Sequence, residues 1–231
     1  GEGVGYLKCL EALRPHWTGA RAKAAAFNAN KTGALRRGVG VAGMWYGCGN
    51  TAMANPSTIR AGLKPDGRLA LHQGAVDIGQ GSNTVIPQIF ADALGAPLAV
   101  VDILGPDTDL TPDCGKTSAS RQTFVTGKAA ELAGRALRRA LLRLANAGEG
   151  ARLVFRTGEL AVEEGGEVRR IALFDLARDA HGYVVAVEET FDPPTTPLDA
   201  DGQGSPFAVY GFGSHLVELA VDMELGTVKV L

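Results

Sequence analysis

The chain has 231 residues, 45% of them hydrophobic and 21% charged, with a formal net charge of −2. That is the composition of an ordinary soluble protein long enough to bury a core, and a charge so near zero excludes the electrostatic footprint of a nucleic-acid or membrane-surface partner. Cys9, Cys48 and Cys114 lie far apart with no CxxC spacing, which argues against a zinc or iron–sulfur site and for reduced, mostly buried thiols in a cytoplasmic protein. No apolar run approaches the roughly 20 residues of a membrane helix. Gly1 to Trp17 has neither the basic nor the apolar region of a signal peptide, and a start without Met fits a cleaved product or part of a longer chain.

In chain order, Leu7, Leu10, Leu13, Trp17, Ala20, Ala24 and Phe27 predict a helix over 6–30, kinked or divided at Pro15. Arg36 to Asn50 reads as a strand, with Trp45 and Tyr46 taken as core rather than pocket. Ser57 to Lys64 and Arg68 to Ala75 form a hairpin about Pro65-Asp66-Gly67. Ser82 to Leu94 is a helix closed by Gly95 and Pro97, and Leu98 to Leu104 is a buried-type strand. A polar loop from Gly105 to Lys116 leads to a long helix from about Thr117 to Asn146, with Arg135, Arg138, Arg139 and Arg143 on a solvated face. Strands at 153–156, 159–162 and 168–171, a short helix at 172–178 and a strand at 183–191 follow. Ala208 to Asp222 and Thr227 to Leu231 close the chain as a hairpin; because an isolated hairpin is weak, this end is expected to be completed by sequence beyond Leu231.

The chemistry gathers at two stretches. Gly79-Gln80-Gly81-Ser82 joins a strand to a helix, and a helix N-terminus bears unpaired N–H groups and about half a positive charge. Glycines on both sides admit a ligand to the backbone, which suits a phosphate or another anion, and Ser82 and Thr84 add caps or donors. The alternative is a glycine turn capping an ordinary helix. Gly115 to Gln122 repeats the geometry at a second helix start, with three hydroxyls, an amide and two cations. There Thr117 or Ser118 could be a plain N-cap. Together the two ends form a clamp for a ligand with anionic and flat polar parts.

These residues resemble the molybdenum-cofactor subunit of the xanthine dehydrogenase/aldehyde oxidoreductase family. The resemblance rests on Gly79-Gln80-Gly81 before a helix and on Thr117 to Arg121 before Gly127-Lys128-Ala129. It extends to Arg37 to Val41, Pro65-Asp66-Gly67, Tyr210 to Gly213, and Val217 to Asp222 with Gly226, and is nearest to bacterial aldehyde-oxidoreductase members. It implies an α+β molybdopterin-binding lobe with mixed sheets and packed helices, residues 1–231 forming part of that region with sub-lobes at 1–150 and 151–231. It implies oxidation of an aldehyde or N-heterocycle with oxygen from water, electrons leaving through iron–sulfur clusters and, in members that carry it, FAD on other domains or subunits. By resemblance Gly79, Gln80 and Gly81 contact the pterin. Ser118, Ala119, Ser120, Arg121 and Thr123 fall at a second cofactor segment, the cytosine-dinucleotide pyrophosphate of bacterial members suiting the helix N-termini. The pterin dithiolene holds molybdenum in this family, so no residue here is expected to ligate metal.

The Gly-rich segment with the family's catalytic glutamate has no match here, and the earlier lobe with its substrate-orienting Arg is absent. Glu188, Glu189 and Glu218 read as structural, and the chain is expected to be part of a longer polypeptide or a split subunit, working with the remaining lobes. Asn50 stands where purine-oxidising members place an aromatic, which favours an aldehyde substrate. Two other readings remain open: a nucleotide-dependent oxidoreductase, though G-x-G-x-x-G is broken after Gly81, and a scaffold lobe that only docks.

Overall fold

The computed structural model describes residues 5–29, 33–50 and 53–231. In chain order the elements are α1 (Tyr6–Ala29), β1 (Leu35–Gly47), β2 (Ser57–Leu63), β3 (Leu69–His72), α2 (Ser82–Leu94), β4 (Val101–Leu104) and α3 (Gln122–Leu144). They continue with β5 (Arg152–Arg156), β6 (Glu159–Glu164), β7 (Glu167–Ala172), β8 (Val185–Phe191), β9 (Tyr210–Asp222) and β10 (Val228–Val230). The mixture of helices with antiparallel and parallel strand pairs is the expected α+β class. The chain divides into two compact units, Gly1–Cys48 with Ala208–Leu231, and Gly49–Phe207. This differs from the expected sub-lobes at 1–150 and 151–231, because β8, from the later part of the chain, pairs along the whole of β2.

In the first unit α1 runs unbroken through Pro15. Pro15 and Glu11, whose carbonyl it leaves unpaired, are both exposed, so water satisfies what the helix loses. The Asn28 amide bonds both backbone groups of Arg37 at 2.8 Å, which ties the helix end to β1. β1 pairs with β9 from Leu35↔Asp222 to Gly47↔Tyr210, and β10 lies on the other edge of β9. The last two strands are therefore not an isolated hairpin: β1, far away in sequence, supplies the third strand. A side chain at Gly43 would run into the Tyr6 ring, so helix and sheet approach closely there. Trp45 is 68% exposed and Tyr46 is exposed next to it, contrary to the expected core role; consecutive strand residues point to opposite faces, so this end of β1 is uncovered on both sides among the described residues.

The second unit is built on a four-stranded sheet in the order β4-β3-β2-β8, with β3 and β4 parallel. Helix α2 is the crossover between those parallel strands, so the Gly79–Gly81 loop leaves the carboxyl end of β3. Fully buried Ile59, Leu63, Leu69, Leu71, Ile86 and Phe90 fill the space between sheet and helices. Gly134 lets α3 approach α2, for a β-carbon there would lie 2.6 Å from the Phe90 carbonyl oxygen. Arg138 is not merely solvated: it donates to the Leu94 carbonyl at the end of α2 and to Ala151 O at 2.7 Å. The meander β5-β6-β7 adds Leu153, Leu160 and Val162 to the same core.

Strand ends differ from expectation by two or three residues, β1 stopping at Gly47 and β3 at His72, and three differences have a clear cause. Residues 98–100 form a 3-10 turn, leaving β4 as a short, half-exposed edge strand. The expected helix over 172–178 shrinks to a 3-10 turn at Leu173–Asp175, anchored by buried Leu173 and its amide bond to Gly158 O. Helix α3 begins at Gln122 rather than Thr117, because Ala119 and Ser120 both take φ of 51°, which no right-handed helix accommodates. Of the thiols only Cys114 is buried; Cys9 and Cys48 are half-buried. No helix among the described residues is long and apolar enough to cross a membrane.

His72 is 4% exposed, with Nδ1 2.8 Å from Leu110 O and Nε2 2.5 Å from the Tyr183 hydroxyl. Burial holds its pKa below the ordinary value, the Leu110 bond opposing and the Arg60 and His181 charges adding to the effect.

Two predictions follow from this packing. Gly134→Val lowers unfolding free energy by about 2 kcal/mol, because a branched side chain meets helix backbone that cannot yield, and urea titration reads the loss. Stability also falls as pH drops below about 6.5, where the unfolded chain binds a proton that buried His72 refuses. Urea midpoints between pH 8 and pH 5 should show this fall, and His72→Gln should flatten it.

Candidate functional site

The first segment leaves β3 and turns at Asp77. One Asp77 carboxylate oxygen accepts the Gly79 and Gly81 amides at 2.8 and 3.3 Å, and the other accepts the Asn83 amide at 3.0 Å. Gly79 and Gly81 have φ of 105° and 84°, the left-handed geometry that lets a loop curl around one carboxylate. The bonds from Asn83 and Gly79 hold the Asp77 carboxyl below its usual pKa. The N-terminus of α2, expected to receive a ligand anion, thus already holds one from its own chain. Neither Ser82 nor Thr84 caps it: Gly81 is the N-cap, and Ser82 is buried with its hydroxyl accepting from Gln80. The exposed Gln80 folds back on the loop, accepting from the Ile78 amide at 2.6 Å and donating to Val76 O at 3.1 Å.

The second segment lies directly beside the first. The Thr117 hydroxyl donates to Val76 O at 2.8 Å, joining the two loops. The Gln122 amide folds back onto Gly115 O and Thr117 Oγ1, so Thr117 and Gln122 brace the turn instead of capping α3. Ala119 O accepts the Gly49 amide at 2.8 Å. Ser118, Ser120 and Thr123 are exposed, and their hydroxyls have no hydrogen-bond partner among the described residues. The Gln122, Thr123 and Phe124 amides, which open α3, likewise donate to no described group.

Arg121, expected among the ligand contacts, is instead 1% exposed. Its Nε donates to Asn55 Oδ1 at 2.6 Å, Nη1 to the Cys114 and Lys116 carbonyls at 2.5 and 3.2 Å, and Nη2 to the Asn55 and Pro56 carbonyls at 3.0 and 2.8 Å. A guanidinium has five N–H groups, so none is left for a ligand. Burial lowers its pKa, with Cys114, Asp113 and Asp192 opposing. Asp77 and Asn55 escaped the sequence reading; the Asp-x-Gly spacing of 77–79 was the available signal for the first, and Asn55 had none.

The sequence profile of the molybdopterin cofactor-binding domain matches residues 11–231. The chain belongs to that family. It is 31% identical over 240 residues to the xanthine dehydrogenase molybdenum-binding subunit of Escherichia coli O157:H7, covering 98% of this chain and 30% of that one. It is 27% identical to the aldehyde oxidoreductase of Megalodesulfovibrio gigas, over 96% of this chain and 22% of the relative. The solved aldehyde oxidoreductase from Desulfovibrio gigas superposes with a TM-score of 0.74 at 26% identity, over 98% of this chain and 22% of that one. The chain thus spans about 30% of the length of the first of these relatives.

The residues present fit a molybdopterin. Unpaired amides and hydroxyls opening α3 suit its phosphate, and the exposed Gly79–Gly81 turn offers backbone to a flat polar edge. If Asp77 shapes that turn, Asp77→Ala speeds hydrogen exchange of the Gly79, Gly81 and Asn83 amides while Asp77→Asn, which keeps one acceptor oxygen, recovers part of the protection. Unchanged exchange in Asp77→Ala would show that the turn needs no carboxylate.

Proposed function

We propose that this domain supplies one wall of the molybdopterin site in an oxidoreductase that oxidises an aldehyde or N-heterocycle. Molybdopterin, when bound, supplies the molybdenum that accepts the substrate's electrons. The chain's own work is to hold and orient that group. Gly79, Gln80 and Gly81 would hold the neutral pterin edge, because Asp77 has already taken the loop amides. The start of α3 would hold the anionic phosphate end, with the Gln122, Thr123 and Phe124 amides, the hydroxyls of Ser118, Ser120 and Thr123 and the backbone of Ala119. The Thr117–Val76 hydrogen bond carries this reading, because it makes two segments 36 residues apart, Gly81 to Thr117, into one surface.

The cytosine-dinucleotide form extends the same assignment, its pyrophosphate matching the unfilled amides at α3 better than the filled ones at α2. The other lobes of the subunit, an iron–sulfur domain or subunit and, where present, an FAD subunit complete the electron path. One relative, from Paenarthrobacter nicotinovorans, is named as the gamma subunit of a dehydrogenase complex, which supports a multi-subunit setting. Asn50, whose amide reaches Asn55 Oδ1 at 3.3 Å, stands for an aldehyde rather than a purine.

Ser120→Asp tests the assignment. Aspartate tolerates the left-handed backbone at this exposed position, so the fold should persist while the added charge repels phosphate. Pterin content of the purified protein should fall by about tenfold. Gln80→Ala should lower it less. Full pterin content in Ser120→Asp, or one NAD or FAD per chain in place of pterin, rejects the proposal.

A further inference from the structure

We infer that Arg121 is a positioning residue for the cofactor surface, acting with Asn55 and two glycines from within the core. The inference rests on the reading above that residues 117–123 face the cofactor. Arg121 draws carbonyl oxygens from three stretches of chain, at 55–56, 114 and 116, onto one planar group. Such convergence needs room. A β-carbon at Gly115 would lie 2.6 Å from Arg121 Nη1, and one at Gly49 would lie 2.7 Å from Asn55 Nδ2. Both glycines also have positive φ, 68° and 103°.

Asn55 is orientated without ambiguity, because only its oxygen can accept from Arg121 Nε. That fixes its Nδ2 against Gly49, where it has no hydrogen-bond partner among the described residues. Leaving a buried amide nitrogen unpaired is unfavourable, and the fold accepts it in exchange for the Arg121 geometry. Gly49 in turn donates its amide to Ala119 O, the first of two consecutive non-glycine residues in the left-handed region. The chain of contacts Arg121–Asn55–Gly49–Ala119 is a closed ring, since Arg121 follows Ala119 by two residues. It holds Ser118 to Ser120 in a conformation those residues would not adopt alone.

Arg121→Lys keeps the charge but replaces a planar fork of five donors by a point with three. The test uses the protein as isolated with its cofactor, and the same protein stripped of it. In the stripped protein, hydrogen exchange of the Gly49 amide should speed up by about tenfold or more beyond whatever the fall in the global unfolding midpoint accounts for. In the loaded protein, pterin content should fall in step. Reduced pterin with unchanged Gly49 exchange would mean that Arg121 touches the cofactor, and faster exchange with full pterin would mean that it serves the fold alone; either overturns the inference. Should Arg121→Lys fail to fold, Asn55→Ala removes a single side-chain acceptor and carries the same two readouts. Full pterin in Ser120→Asp rejects the reading of the surface and the inference with it. Lost pterin in Ser120→Asp, with unchanged Gly49 exchange in Arg121→Lys, rejects the inference only.

Discussion

A guanidinium taken out of water must find an oxygen for each of its N–H groups, since an unpaired buried charge is among the most destabilising things a core can hold. Arg121 meets that requirement with one side-chain oxygen and four backbone carbonyls and without a direct carboxylate partner, the nearby Asp113 and Asp192 acting only at a distance. Backbone carbonyls cannot be supplied by rotating side chains, so the chain itself has to come to the arginine. The segment before β2, the loop after β4 and the start of α3 therefore meet at one place. Ser57, Thr126 and Gln122 extend this meeting point as a buried hydrogen-bonded chain into α3.

The two helix starts at the surface are then electrostatically unlike. The N-terminus of α2 is neutralised by Asp77, a full negative charge set against the positive end of the helix dipole. That of α3 keeps its positive end uncompensated, with no acidic residue in its first turn. Two helix N-termini side by side would repel each other and compete for the same anion. With one of them filled internally, the surface gains a polarity, neutral at the glycine turn and positive at α3, and a ligand with one flat neutral end and one phosphate end can bind in a single orientation. Thr117 fixes the spacing between those ends by anchoring to Val76.

Much of this was legible from residue patterns, where one physical signal dominated. The helix at Ser82–Leu94 has apolar periodicity, a glycine before it and Gly95 in the left-handed region after it, and its limits are those expected. The glycine turns at 67, 79, 81 and 226 were marked by residue type, because their positive φ is hard for other residues. What stayed hidden depends on groups distant in sequence. Ala119 and Ser120 give no local sign of left-handed backbone; their conformation comes from Gly49 and Arg121. The arginine itself read as a ligand contact, because local sequence cannot tell a guanidinium facing a ligand from one enclosed by carbonyls. The pairing of β1 with β9, separated by more than half the chain, was equally beyond local periodicity. Asp77 is the intermediate case. Aspartates at 66, 113, 179, 199 and 222 also bond an amide two residues on, so the side-chain-capped turn is a habit of this sequence and could have been found at 77 by the same rule.

Both loops of the surface are thus determined by bonds that need no ligand. Asp77 and the Gln80 amide satisfy the first loop from inside, and Arg121 with Asn55 and Gly49 fixes the second. Binding then orders few residues, so little of the interaction energy is lost to conformational entropy and more of it remains as affinity and orientation. The same economy limits how the surface can change. A substitution at an exposed hydroxyl alters one contact, whereas one at Gly49, Asn55, Gly115 or Arg121 moves a backbone that several contacts share. Residues buried behind the surface consequently constrain its geometry more tightly than the residues a ligand would touch.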